Sequence, residues 1–428
     1  MGIVFLVASF AILLALRVPI AFALGLSSLG YIYLFMPASI SLTIIPQIMT
    51  SKPSSFPLMA IPFFILVGEL MNASGISQRL VDFAKAGVGH LRGGMGMVAL
   101  VSSAGMSSFS GSSVANAVGT GAITIPAMIK QGYPRQTAAA IETASSSLGT
   151  VIPPSISMVV YGSLTGVSIG GLFVGGYLPG ALSVIGLALV IRWVAKRHKV
   201  PVTERQPGRV IFKAFVRALS ALGIPIIIIG GILLGFMTPT EAGAVGAGYT
   251  LIVTMLIYRT LSLRDLYGAL RRTAVTTGVI LSVIATASIL GYIMTYERIP
   301  AMAADAMLEN LSEEWMIMLV LVLILIVVGS FMETNAAIAI IAPIIMGITA
   351  GSGLDPLFVG VIVVLALSIG VATPPVGVCL FVTAKLARTT IEKVSVAVVP
   401  FVGVLVAITL LLSLLPDVVL FLPRLLGY

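Results

Sequence analysis

Charge is what this chain has least of. Of its 428 residues, 9% are Asp, Glu, Lys or Arg, where soluble domains carry about a quarter. That scarcity excludes an ordinary soluble globular protein. Cysteine is nearly absent too: Cys379 is the single one and lies in an apolar run, so no disulfide framework exists. The two histidines, His90 and His198, sit among basic residues near chain turns and give no metal or proton-relay pattern. Long polar intervals are also missing. The longest, residues 196–209, leaves no room for a soluble domain. What is present is 58% hydrophobic, with a mean hydropathy of +1.15. Apolar runs of this density must satisfy their backbone internally, so the fold class is an all-α polytopic membrane protein. The net charge of +9 falls in short loops and reads as an orientation signal, not a nucleic-acid surface.

Taken in order, residues 3–16 and 20–36 are two apolar runs parted by Arg17 and Pro19, the first read as a spanning helix and not a cleaved leader. A polar stretch, 51–55, precedes a third helix over 57–72. Residues 75–94 carry Arg79, Asp82, Lys85, His90 and Arg92 and predict an interfacial arm. Residues 95–132 predict a re-entrant hairpin, 136–164 a helix broken at 149–154, and 169–194 a span. Spans follow at 219–236, 242–258 and 273–295, then a second arm at 296–314. A second hairpin over 315–351 breaks at 329–335. A second broken helix over 357–386 breaks at 370–375, and a last span covers 394–415. Basic clusters at 192–217, 259–272 and 385–393 fall on one side, assigned to the cytoplasm; both termini and 51–55 then face the periplasm.

Pro19 and Pro239, Asn116 and Asn335, and Pro153 and Pro374 mark a repeat of about 220 residues. Residues 1–210 and 211–428 each read as five crossings plus one hairpin, and an odd number of crossings inverts the second copy. Paired interrupted helices in corresponding positions of two halves point to a transporter binding site.

The interruptions carry the chemistry. Residues 107–116 (SSFSGSSVAN) separate apolar runs of 11–12 residues, half a span each, so the hairpin tip is expected near the bilayer midplane. Residues 145–155 (SSSLGTVIPPS) interrupt the next helix. Broken helices expose carbonyls, and carbonyls with hydroxyl and amide oxygens suit a hard monovalent cation. One candidate sodium site combines Ser110, Ser113 and Asn116 with Gly149 and Ile152. A second combines Gly329, Thr334 and Asn335 with Gly370 and Thr373. Gly and Ser pairs also serve close helix packing, but duplicated breaks, each followed by Pro-Pro, favour a site. Glu333 in the second tip is either functional or a water-facing loop residue. Arg298 is either a carboxylate partner or a membrane-edge arginine. Glu142 is either functional or paired with Lys130 or Arg135, and Glu241 reads as part of a helix cap.

Residues 109–116 (FSGSSVAN), 124–128 (TIPAM), 132–133 (GY), 152–155 (IPPS) and 372–375 (ATPP) resemble the large membrane subunit of tripartite ATP-independent periplasmic (TRAP) transporters, over the whole chain. The resemblance implies an elevator-type inverted-repeat transporter. Its transport domain would cover roughly 95–165 and 315–390, with the remainder as scaffold. It implies sodium as coupling ion, a small four-helix membrane subunit and a periplasmic substrate-binding protein as partners. No N-terminal extension suggests fusion to the small subunit, which is expected as a separate chain. It also implies organic-anion binding near Ser108, Ser110, Ser155, Arg298 and Glu333. The expected function is import of a small organic acid, of sialic acid or C4-dicarboxylate type with a lean to sialic acid, across the bacterial inner membrane. A stand-alone sodium/organic-anion symporter is the alternative. A channel is disfavoured because each hairpin stops at midplane. An intramembrane serine enzyme lacks a His or Lys base in either break.

Overall fold

The computed structural model describes residues 2–37, 44–311 and 313–428. All regular structure among them is helical. Helices α1 (Gly2–Ala15) and α2 (Ile20–Phe35) form the first pair, with α3 (Ile44–Ser51) following. A 3-10 turn leads into α4 (Ala60–Ala73), and α5 (Ile76–Val88) is the first arm. The first hairpin is α6 (Met95–Ser110) and α7 (Ser113–Lys130). The first broken helix is α8 (Arg135–Ser147) and α9 (Ile156–Thr165), and α10 (Ile169–Arg197) closes this half. The second half opens with α11 (Gly208–Leu233) and α12 (Pro239–Leu251), the latter ending in a π turn. Then come α13 (Leu263–Tyr296) and the second arm, α14 (Ile299–Asn310). The second hairpin is α15 (Glu314–Phe331) and α16 (Thr334–Ser352), the second broken helix α17 (Pro356–Gly370) and α18 (Val378–Ala387). Helices α19 (Ile391–Ser413) and α20 (Pro416–Leu425) end the chain. The order of pair, arm, hairpin and broken helix therefore occurs twice.

Eight helices among the described residues are long and apolar enough to cross a membrane. Helices α1 and α2 are shorter, and α8–α9 and α17–α18 are interrupted.

Three expectations need correction. The hairpin arms are not half-spans. Helices α6 and α7 have 16 and 18 residues, roughly 24–27 Å of helix. The polar residues stay helical because they are satisfied locally: Ser107 Oγ donates to the Ser103 carbonyl at 2.7 Å. Asn116 Nδ2 donates across the hairpin to that carbonyl at 2.9 Å and to Ser107 Oγ at 3.0 Å. Second, α11 starts at Gly208 and α13 at Leu263, well before their apolar cores. At 34 residues, α13 is about 51 Å long. It starts at a capping box in which Ser262 and Asp265 satisfy each other's backbone N–H groups. Third, α3 and α20 are extra short helices that no long apolar run announced.

The broken helices form the centre. Every residue of α8 from Thr137 to Ser147, and of α17 from Phe358 to Gly370, is buried. Helices α6 and α7 pack on α8, and α15 on α17. The halves interlock as well: α7 packs on α18, and α16 on α9. Helices α13 and α19 are peripheral and turn apolar side chains outward. Arm α5 is fixed to the periphery by Arg79, whose guanidinium lies 3.4 Å from the Tyr258 ring centroid.

Candidate functional site

Consecutive prolines dictate the local chemistry of each break. Pro153 and Pro154 have no N–H, so the Gly149 and Thr150 carbonyls lose their helical donors. The Thr150 carbonyl is recovered by Ser155 Oγ at 2.5 Å, and Ser155 also accepts from Met158 N as the cap of α9. The Gly149 carbonyl has no such substitute in sequence. Pro374 and Pro375 act likewise on Gly370 and Val371, whose carbonyls accept from Thr373 N at 3.0 Å and Cys379 N at 3.1 Å.

The first hairpin tip docks on the first break. Gly111, at φ +57, turns the chain between α6 and α7, a conformation glycine adopts without penalty. Its carbonyl accepts from Ile156 N at 3.3 Å. Ser113 Oγ donates to the Ser147 carbonyl at 3.3 Å and lies 3.4 Å from Thr150 Oγ1. A Cβ on Gly149 would stand 2.8 Å from the Ser113 nitrogen, so the tip backbone touches the broken helix directly. Ser113 thus meets Gly149, with Ser110 on the same cavity wall, whereas the Ile152 side chain packs against Gly180 of α10. Asn116 sits behind them, its amide spent on α6 and its Oδ1 3.4 Å from Thr120 Oγ1.

The second tip docks on the second break by the same rule. Val376 N donates to the Ser330 carbonyl at 3.1 Å. A Cβ on Gly370 would fall 2.1 Å from the Gly329 carbonyl carbon, so the two glycines are in backbone contact. Thr334 is fully buried and its Oγ1 has no hydrogen-bond partner. An orphaned hydroxyl of this kind fits an oxygen-seeking cation. Thr373 Oγ1 is tied to the Ile369 carbonyl at 2.7 Å. Asn335 Oδ1 accepts from Ser157 Oγ of the first broken helix at 3.0 Å, coupling the two halves.

One cavity of about 1230 Å³ lies between the tips. Ser110, Ser113, Thr150, Glu333, Thr334 and Asn335 line it from the two docked tips, facing α2, α4 and α13. Glu333 is neither a loop residue in water nor a free carboxylate. It caps α16, accepting from the backbone N–H of Asn335 and Ala336 at 2.9 and 3.1 Å and from Asn335 Nδ2 at 2.8 Å. Ser155 is buried as the cap of α9, and half-buried Ser108 is not part of the cavity wall. Arg298 lies elsewhere. It is exposed, with left-handed backbone (φ +55), at the head of α14. The α13 wall of the cavity ends at Thr286, twelve residues and roughly 18 Å of helix short of it.

Three groups escaped the sequence reading or were misplaced by it. Glu69 in α4 and Arg272 in α13 both line the cavity and pair at 2.6 Å. A lone carboxylate inside the apolar stretch of α4 was the available signal. Glu142 is not paired with Lys130 or Arg135; Arg135 Nη1 donates instead to the Ala387 carbonyl at 3.1 Å. Glu142 is fully buried inside the first hairpin, accepting from Ser103 Oγ at 3.1 Å, Thr124 Oγ1 at 2.5 Å and Thr120 Oγ1. Glu241 does form the expected cap: it and Thr238 make a complete capping box at the start of α12.

Comparison with known proteins agrees with this architecture. Residues 7–418 match the family described as "Tripartite ATP-independent periplasmic transporter, DctM component". The chain is 39% identical over 414 residues to the isethionate TRAP transporter permease protein DctMQ of Oleidesulfovibrio alaskensis, covering 96% of this chain and 65% of that protein. It is 38% identical to the C4-dicarboxylate TRAP transporter large permease protein DctM of Pseudomonas aeruginosa, over 95% of this chain and 94% of that one. Among solved structures, the Alcanivorax borkumensis YdaH transporter superposes with a TM-score of 0.64 at 15% identity, covering 96% of this chain and 98% of that one. The chain is a multi-pass protein of the bacterial inner membrane and belongs to the DctM component family of TRAP transporters.

Proposed function

We propose that this chain is the transporting subunit of a sodium-coupled importer of a small organic acid. The observation that carries the reading is that both hairpin tips dock on proline-broken helices and line one cavity. Sodium would be held at the first tip by Ser110, Ser113 and Asn116 with Gly149 and Ile152. At the second it would be held by Gly329, Thr334 and Asn335 with Gly370 and Thr373. All donors are oxygens, and two of them, the Gly149 carbonyl and Thr334 Oγ1, lack their ordinary partners. A bound ion there supplies positive charge beside the cavity. In return, cation and anion raise each other's affinity by the same factor.

With the basic loops in the cytoplasm, the cavity wall on α13, residues 272–286, runs from the cytoplasmic end of the apolar span 273–295 to about its middle. The cavity then opens inward. Movement of residues 95–165 and 315–390 as a transport domain against the remaining scaffold would carry it to the other side. The substrate class follows the relatives, whose names specify isethionate, a sulfonate, and C4-dicarboxylates; sialic acid, to which the sequence leans, is likewise a small anion, with one carboxylate. Two sodium ions with a monocarboxylate move one net charge inward, assisted by about 2.3 kcal/mol per 100 mV. A small four-helix membrane subunit and a periplasmic binding protein complete the system. Family membership favours this over a stand-alone symporter.

Reconstitution of this chain with both partners in proteoliposomes tests the reading, using labelled succinate, isethionate and N-acetylneuraminate. Uptake should follow an inward sodium gradient and need all three proteins. Uptake driven by a proton gradient without sodium, or robust uptake by this chain alone, would overturn it.

A further inference from the structure

Three charged side chains line the main cavity: Glu69, Arg272 and Glu333. Glu333 is committed to capping α16. Arg272 is therefore the one cation on the wall among the described residues. Its guanidinium is half exposed and spends Nε on Glu69 Oε2 at 2.6 Å. Guanidinium has five N–H donors in a planar fork; the Nη1/Nη2 edge makes no hydrogen bond among the described residues, and Nη1 lies beside Gly268 of α13. A second cavity of about 350 Å³ adjoins this pair. It shares Glu69, Arg272, Val275 and Thr276 with the first and adds Gly268 and Arg271. The ion pair thus stands on the wall common to both cavities, and the smaller one carries a net positive wall.

We propose that Arg272, held in plane by Glu69, is a docking site for the carboxylate or sulfonate of an organic anion passing between the two cavities. The chemistry is bidentate recognition by the free guanidinium edge, with Thr276, one helical turn further along α13, offering a hydroxyl. Glu69 does two things. It fixes the plane of the fork, and its negative charge keeps the site weak. A weak site at a mouth suits release, whereas a bare arginine there would hold the anion. The inference rests on the reading of the main cavity as an organic-anion path. It adds a site that is separate from the hairpin tips.

The test reads local anion attraction without needing transport. Val275 lines both cavities and is exposed. A single cysteine there, as Val275→Cys with Cys379→Ser, is treated in the partner-bound complex with two methanethiosulfonate reagents of similar size. One carries a sulfonate and the other a trimethylammonium group. The sulfonate reagent should react faster, and Arg272→Gln should lower the rate ratio by about fivefold or more. Glu69→Gln, with Arg272 intact, should raise it. Succinate or isethionate should protect the cysteine in the Arg272 protein. An unchanged ratio in Arg272→Gln, or a fall in Glu69→Gln, would reduce the pair to a tie between α4 and α13 and overturn the proposal. Loss of the sulfonate preference only in nanodiscs containing phosphatidylglycerol would assign the site to lipid and also overturn it. Failure of the transport reading would show instead in the uptake of the assembled complex, which these rates do not depend on.

Discussion

The two hairpin tips solve one problem with different materials. At the first, the turn is a left-handed glycine, the cap of α7 is Ser112, and the polar groups are hydroxyls and one amide. At the second, the turn has no glycine at its centre, and the cap of α16 is a carboxylate, Glu333, holding two backbone N–H groups. The first hairpin has no carboxylate of its own; Glu142 of α8 reaches in between its arms, away from the cavity wall. The second places its carboxylate on the cavity wall. The two halves therefore agree in where the chain breaks, not in which atoms stabilise the break. Docking geometry is common to both tips, whereas capping chemistry differs between them.

The sharpest test of that division is steric. Gly370→Ala pushes a Cβ into the Gly329 backbone at 2.1 Å, where nothing can rotate away. Uptake should be abolished, with loss of thermal stability beyond the ordinary 1–3 kcal/mol of overpacking. Gly149→Ala, facing backbone at 2.8 Å, should be milder but still well below wild type. Normal uptake in Gly370→Ala would separate function from docking.

Sodium dependence comes next. Thr334 Oγ1 has no protein partner, so Thr334→Val should leave stability without sodium unchanged. It should shift the sodium curve about tenfold, the equivalent of about 1.4 kcal/mol. Asn116→Ala removes hydrogen bonds to Ser103 and Ser107. It should weaken sodium dependence and lower stability with or without the ion. Identical stability profiles in sodium-free buffer for the two variants would contradict the contrast between the tips.

Cap replacement should have smaller effects. Glu333→Gln keeps one oxygen acceptor and should cost about 1 kcal/mol of stability, and Ser112→Ala a similar amount, both with uptake retained. If Glu333→Gln abolishes sodium-driven uptake while folding normally, its carboxylate does more than cap.

The smallest effect lies away from both tips, at the exposed cap of α13, ahead of the span 273–295. Hydrogen bonds from the Ser262 side chain and backbone hold the Asp265 carboxyl below the usual carboxylate range. A depressed folded value means that this stabilisation is present above the unfolded value, about pH 4, and is lost as pH falls through the folded one. Asp265→Asn should therefore show a slight deficit at neutral pH that vanishes in acid. A deficit that persists in acid would point to packing instead.

Much of the fold was legible because proline and glycine punctuate it. Pro153, Pro154, Pro374 and Pro375 located both broken helices, and the serine-rich and GSFMETN interruptions located both tips. Helix ends were not legible where polar residues find partners inside the helix, as Ser107 and Asn116 do. Helices α3 and α20 were missed because eight- and ten-residue amphipathic segments leave no long apolar run. Residues facing the cavity were only partly legible. Arg298 looked suitable because it follows a span. Which end of α13 borders the cavity depends on contacts with α2 and α4 that no local pattern encodes. The same contacts turned Arg272, read as a loop-side charge, into a cavity residue.

The docking of the first tip on the first break also constrains how the chain can be made. Residues 111–112 leave the ribosome about 40 residues ahead of the Gly149–Ser155 segment that covers them. At about 5–20 residues per second, that is roughly 2–8 s during which a polar turn has no partner. Lipid cannot satisfy its backbone. The hairpin must therefore be sheltered by the insertion machinery, or wait at its edge, until α8 and α9 arrive. The second tip repeats the delay with Glu333 holding two backbone N–H groups of its own helix end, where Ser112 of the first holds one, and so enters the membrane better satisfied.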